Sequence, residues 1–355
     1  IIFILWRVLI SAAEIVGMSL LPFKRSFPYI DSMLESTKLP QWLWQWGNFD
    51  GVHYLDIINS GYHGYGNQVF FPIYPLVVKF LDFFVQKPII SALIVSHVAV
   101  FLAAGVLYKL AKDNFSEITA KWSVIFLFFF PTSFYFGAIY TESPFLLFVL
   151  LAFALSGPLS GVFGFLAGGT RLVGFFIAPL RVLFRPRNFW SFLSVFGLVS
   201  YVVYLFFRFK EPLIFLEAQQ VFQNGRASSI STLVNPLQVI FRYLKIFLTA
   251  NPQQPAFWTA SLEFISFIFG TGVLILLFKS KKLPISFILF GAISLILPTM
   301  SGTLQSMPRY LLTIFPIFLG LALIKNKTIK SGILVIFIVL LLLFTAFFTR
   351  GYFIS

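Results

Sequence analysis

The chain has 355 residues, of which 59% are hydrophobic and only 11% charged, with a mean hydropathy of +0.91. A soluble domain carries about 25% charge, so no water-facing surface can be built from this composition, and the expectation is one all-α polytopic membrane domain over 1–355. The formal charge of +14 would suggest nucleic acid in a soluble protein, but here the basic residues sit beside apolar runs, where they orient helices and meet anionic headgroups. The absence of cysteine excludes disulfides, thiol nucleophiles and thiolate metal sites.

Crossing the hydrocarbon core takes roughly 20 apolar residues. Runs of this kind are predicted as helices near 1–21, 88–110, 122–138, 144–155, 190–207, 257–278, 284–297, 310–324 and 333–348, because in lipid a backbone amide must be satisfied within its own helix or a closed barrel. The first run lacks a charged leader region and a small-residue cleavage site, and is read as a retained helix. With broken segments included, the chain is expected to hold about 10–11 membrane helices and long outer loops near 23–87, 208–256 and 299–309.

Four short connections are rich in cations: Lys109, Lys112 and Lys121; Arg181, Arg185 and Arg187; Lys279, Lys281 and Lys282; Lys325, Lys327 and Lys330. The positive-inside rule places them in the cytoplasm, and the long loops then share the opposite face. A single span over 157–184 would break this arrangement. That stretch carries Gly157, Gly161, Gly164, Gly168, Gly169 and Gly174 with Arg171 near its centre, so two short helices that enter and leave on the cytoplasmic side are predicted. Broken helices at that depth must be buried in protein or line a cavity.

Candidate chemistry begins after the first helix. Trp42, Trp44 and Trp46 precede Asn48-Phe49-Asp50-Gly51-Val52-His53-Tyr54-Leu55-Asp56. Tryptophans at the exit of a span anchor at the headgroup level. If Asp50 opens a helix, His53 at i+3 shares its face, and a carboxylate beside an imidazole suits general-base work. The same spacing equally describes a helix-capping Asp with a solvated His. His53, His63 and Asp56 lack the spacing of a metal site; no cofactor is called for, and a divalent metal is compatible but not required. Glu142, in Tyr140-Thr141-Glu142-Ser143-Pro144, is either a wet loop acid or part of a site. Arg171, at membrane depth, needs a polar cavity or a partner such as Glu263 or Glu14, and its guanidinium matches a phosphate in fork geometry. Arg309, before Tyr310, is placed to hold a phosphate at the interface or to snorkel. Arg7 and Glu14 are expected to face the bundle interior, and His97 to be a packing residue.

Together, Phe49-Asp50-Gly51-Val52-His53-Tyr54-Leu55-Asp56-Ile57 with Gly61-Tyr62, Phe70-Phe71-Pro72-Ile73-Tyr74-Pro75, Phe130-Pro131-Thr132-Ser133, Tyr140-Thr141-Glu142-Ser143, Thr170-Arg171-Leu172-Val173-Gly174 and Arg309-Tyr310 with Phe315-Pro316 form an ordered set that resembles the PIG-V family, from about residue 42 to 318. The resemblance implies a GT-C glycosyltransferase, here of a bacterial type in the plasma membrane with its site facing the periplasm. It further implies a mannosyl-type transfer from a polyprenyl-phosphate donor to a glycan, glycolipid or protein hydroxyl, with inversion and no nucleic-acid partner. Asp50 then maps onto the catalytic base, Glu142 onto a second acid, Arg171 and Arg309 onto the donor phosphate, and His53 onto a supporting position. Trp46, Tyr54, Asp56, Tyr140 and Tyr310 are the remaining substrate-binding candidates. The family often has Trp before the catalytic Asp, where this chain has Phe49. Two other readings stay open: a lipid-linked glycan polymerase or ligase, and a flippase or transporter, whose ionisable groups would lie at the midplane.

Overall fold

The computed structural model describes residues 1–63, 66–184, 189–222 and 229–354. Arg185 and Arg187, two cations of the second basic connection, lie outside them. Among the described residues the chain is helical and contains no strand. Among the same residues five helices are long and apolar enough to cross a membrane: Ile2–Leu20, Pro88–Asn114, Phe189–Phe209, Pro255–Ser280 and Lys327–Thr349. Their outer faces show what solvent they need. Ile4, Val8 and Ile15 on the first, and Val335, Ile336 and Val339 on the last, are exposed. The protein is an integral multi-pass membrane protein.

The longer helices are, in chain order, α1 (Ile2–Leu20), α2 (Asp50–Ser60), α3 (Ile73–Val85), α4 (Pro88–Asn114), α5 (Glu117–Phe129), α6 (Glu142–Ala154), α7 (Gly157–Gly168), α8 (Ile177–Phe184), α9 (Leu193–Phe209), α10 (Pro236–Thr249), α11 (Pro255–Ser280), α12 (Ile285–Thr299), α13 (Phe315–Ala322) and α14 (Lys327–Thr349). The chain divides into two compact units, one of 1–61, 73–150 and 318–354, the other of 62–72 and 151–317.

In the first unit α1 runs against α14, with Gly17 so close that a Cβ there would stand 3.0 Å from the Ala346 carbonyl oxygen. Small residues of this kind let membrane helices approach. The end of α14 is tied back to the start of the first loop: Arg350 Nε donates to the Leu21 carbonyl at 2.9 Å, and the Lys24 amide donates to the Arg350 carbonyl at 2.8 Å. The apolar run over 122–138 is not one helix. It stops at Phe129, because Pro131 forces Phe130 into an extended conformation (φ −60°, ψ 143°), and residues Ser133–Gly137 form a separate 3₁₀ turn.

In the second unit α7 has 12 residues, or about 18 Å at 1.5 Å per residue, well short of the roughly 30 Å hydrocarbon core. The chain breaks at Gly169-Thr170-Arg171 and resumes through a 3₁₀ turn, Leu172–Phe176, into α8. Arg181 shows where α8 leads. Its guanidinium, buried, donates to the carbonyls of Ala152 and, at 2.9 Å, Leu155. Those carbonyls lie at the C-terminal end of α6, beside the start of α7, where Ser160 Oγ also donates to that of Ala152 at 2.9 Å. The segment therefore leaves from that end, turns at Arg171 and returns to it as two short helices in place of one span. The cation also complements the negative end of the α6 dipole. Replacing Arg181 by Ala is expected to cost about 1.5–3 kcal/mol, the range for hydrogen bonds to a charged group, read as a lowered unfolding midpoint in detergent. Lys, which cannot span two carbonyls with a fixed fork, should recover only part of it.

Close backbone approach holds this hairpin against α9. A Cβ at Gly168 would stand 2.1 Å from the Ser194 carbonyl oxygen, and one at Gly197 would stand 2.2 Å from that of Phe165. Backbone atoms cannot move aside as a side-chain tip can. Gly168→Ala is expected to abolish recovery of monodisperse protein on size exclusion. Gly105→Ala in α4, where nothing lies within 4 Å, should be neutral or stabilising by up to about 1 kcal/mol.

Candidate active site

In the first unit Asp50 is held by the turn that starts α2. The Trp46 carbonyl accepts the Ile139 amide at 3.0 Å. Asn48 is fully buried and donates through Nδ2 to the carbonyls of Phe348 (2.9 Å) and Thr349 (3.3 Å) at the end of α14. Its own carbonyl accepts the Tyr140 hydroxyl at 2.9 Å, and that hydroxyl accepts the Asp50 amide at 3.3 Å. One phenol thus clasps both sides of Phe49. That residue has φ 58° and ψ −116°, a region costing a non-glycine about 1–3 kcal/mol. Ring contacts to Phe27 at 4.7 Å, Phe353 at 5.4 Å and Phe348 at 6.0 Å hold it there.

The distorted turn sets Asp50 in the first turn of α2, where the helix dipole favours a carboxylate. Asp50, His53 and Asp56 are half-buried along this short helix, and the His53 ring meets Tyr29 edge-on at 5.7 Å. Tyr54, buried, meets Tyr74 edge-on at 5.1 Å, and the Tyr74 hydroxyl pairs with Ser96 Oγ at 3.4 Å. Glu142 opens α6 and is buried. Trp46 is fully buried, with the Arg7 guanidinium 4.7 Å over its ring. Gln45 Nε2 donates to Glu14 at 2.5 Å, so Arg7 and Glu14 face the interior as expected. His97 packs against Phe3 and Trp6 with its Nδ1 2.7 Å from the Leu93 carbonyl.

The second unit gathers the arginines. Arg171, half-buried at the turn of the α7–α8 hairpin, places its guanidinium carbon 5.0 Å from the Tyr310 ring centroid, and that of Arg309 lies 5.8 Å from the same centroid. Arg309 Nη2 also donates to Ser306 Oγ at 3.4 Å. Two cations on one ring concentrate positive charge, which a bound anion would stabilise. Glu263 accepts the Tyr243 hydroxyl at 2.5 Å. Among the described residues no three His, Asp or Glu side chains gather as a metal site requires.

Sequence reading did not single out Asn48, Gln45 or Tyr243. Gln45, between two tryptophans, carried the one usable signal, a polar residue in apolar surroundings that needs a buried partner, whereas Tyr243 beside Arg242 and Asn48 near Asp50 sat among polar neighbours.

A comparison with known protein families finds no match. Over 185 residues the chain is 30% identical to GPI mannosyltransferase 2 of Drosophila pseudoobscura pseudoobscura, a stretch covering 45% of this chain and 39% of that protein. The chain thus spans well under half the length of the curated relative it matches.

Proposed function

We propose that this protein is a membrane glycosyltransferase of the GT-C kind, similar to the PIG-V family, that moves a mannosyl-type sugar from a polyprenyl phosphate to a hydroxyl acceptor on the non-cytoplasmic face. The observation that carries the proposal is the convergence of Arg171 and Arg309 on Tyr310, an arrangement suited to an organic phosphate. The similarity to a mannosyltransferase supports the class of reaction and the sugar. A bacterial plasma membrane with the site toward the periplasm fits the cation-rich short connections.

In this reading the Asp50 carboxylate takes the proton of the acceptor hydroxyl as its oxygen attacks the anomeric carbon. The bond from that carbon to the phosphate oxygen breaks on the opposite face, the configuration inverts, and the electron pair leaves with the lipid phosphate. Arg171 and Arg309 neutralise the charge that builds there. His53 and Glu142 support the acid side, and Tyr54, Asp56 and Tyr310 line the substrate. Tyr140 and Trp46 act as positioning residues, the first through its clasp on Phe49.

The test is transfer of radiolabelled mannose from synthetic polyprenyl-phosphate mannose by the purified protein in vesicles, with glycolipid, glycan and peptide acceptors. Label moving to an acceptor supports the reading. No transfer from any monosaccharide carrier would overturn it, and transfer only from an oligosaccharide diphosphate donor would establish a polymerase or ligase instead.

A further inference from the structure

Helix α10, in the second unit, divides its surface lengthwise into three. Val239 and Tyr243 are buried against the protein. Leu237, Phe241, Leu244 and Leu248 are exposed, by 71%, 67%, 46% and 86%. Gln238, Arg242, Lys245 and Thr249 are exposed beside them. At about 100° per residue the second set falls within one narrow stripe and the third within a parallel stripe.

No single solvent fits both stripes. In water, four large apolar side chains in a row would be exposed. Across the bilayer, 14 residues reach only about 21 Å, and the polar stripe would run through hydrocarbon. A helix lying along the interface satisfies both stripes at once.

We propose that α10 is an interfacial helix seated on the protein's own bilayer, its Leu237–Leu248 stripe in the acyl boundary and Arg242 and Lys245 at the headgroup phosphates. Two observations name lipid as the occupant. The basic pair complements phosphate headgroups. The helix also packs beside the spanning helix α11, Phe247 meeting Phe257 and Phe264 at 5.9 and 5.2 Å, and α11 starts at Pro255 with Trp258 exposed near its entry, its indole donating to the Pro252 carbonyl at 2.9 Å. Tryptophan at that position marks the headgroup level, and Ile265 and Ile268 below it are exposed as lipid-facing residues are.

The seat has a mechanical consequence. The Leu304 amide donates to the Tyr243 hydroxyl at 3.0 Å, Arg242 Nη1 donates to the Gly302 carbonyl at 3.2 Å, and the Val234 amide, just ahead of α10, donates to the Met300 carbonyl at 2.9 Å. The helix thereby fixes the segment that leads into Arg309, so its hold on lipid positions that arginine.

Because the chain has no cysteine, single spin labels read depth directly. Leu237→Cys, Phe241→Cys, Leu244→Cys and Leu248→Cys are compared with Gln238→Cys, Arg242→Cys, Lys245→Cys and Thr249→Cys in vesicles of 3:1 phosphatidylethanolamine and phosphatidylglycerol. The ratio of oxygen to water-soluble nickel collision should be several-fold higher at every site of the first group and level along the helix. A ratio changing steadily from 237 to 248 would mean insertion across the bilayer, and high nickel access throughout would mean a water-facing or protein-binding helix; either overturns the proposal. Should one variant misfold, its neighbour on the same stripe reports the same depth. Tyr243→Phe should leave these depths unchanged while raising label mobility at Gln305→Cys; unchanged mobility overturns the positioning role. These readouts need no transferase activity, so they stand or fall separately from the enzymatic reading.

Discussion

Asp50→Asn is expected to lower sugar transfer by about 10²–10⁴-fold, the contribution of a positioned general base, with the donor still bound. The substitution keeps the shape of the side chain and removes only its ability to take a proton. The local backbone should survive, because what holds it is the Tyr140 clasp, the Asn48 bonds to the end of α14 and the ring contacts of Phe49, none of which involves the carboxylate. A strained Phe49 kept in place by so many partners fits a turn maintained for where it aims Asp50. The competing account makes Asp50 a helix-start acid. It predicts a stability loss of about 0.3–1 kcal/mol from the lost dipole interaction with turnover intact. Initial rates and unfolding midpoints measured on the same preparations separate the two, and an unchanged rate would end the base assignment.

How much of this could be read from the sequence depended on the range of the interactions. The membrane class and the broken α7–α8 segment were legible, since apolar runs, glycines and the placement of cations act locally or through topology. The end of α5 was misjudged because hydropathy ignores what Pro131 does to Phe130. Helix α10 was taken as part of an outer loop, since its apolar residues form no run longer than three, broken by Arg242 and Lys245, and fall short of a span. Arg181 could be seen as a cation near a cytoplasmic cluster, but the carbonyls it caps belong to α6, some thirty residues earlier in the chain. Asp50, Arg171 and Arg309 stood out as ionisable residues in apolar surroundings. Tyr310 as the ring shared by both arginines did not, because cation–π contacts have no sequence spacing.

That shared ring gives the second large effect. Arg171→Gln and Arg309→Gln are each expected to reduce kcat/KM for the lipid-phosphate donor by about 10²–10³-fold, the loss on removing one preorganised donor from a developing anion. The size follows from the surroundings: a half-buried guanidinium meets weaker dielectric screening than one in water. If both touch the same phosphate, their losses will not add, and the double variant should fall short of the product of the two single effects. Lys at either position keeps the charge but gives up the two-pronged match to phosphate oxygens, so its defect should lie between wild type and Gln. Tyr310 offers a control on the geometry, because Tyr310→Phe preserves the ring face and should be mild, whereas Tyr310→Leu removes a cation–π contact worth about 0.5–2 kcal/mol to each arginine. Donor titrations in vesicles, with photo-crosslinking to score binding apart from turnover, decide the matter. Strictly multiplicative losses would place the two arginines on different ligands or different steps, and full activity of both Gln variants would remove the phosphate from this pair altogether.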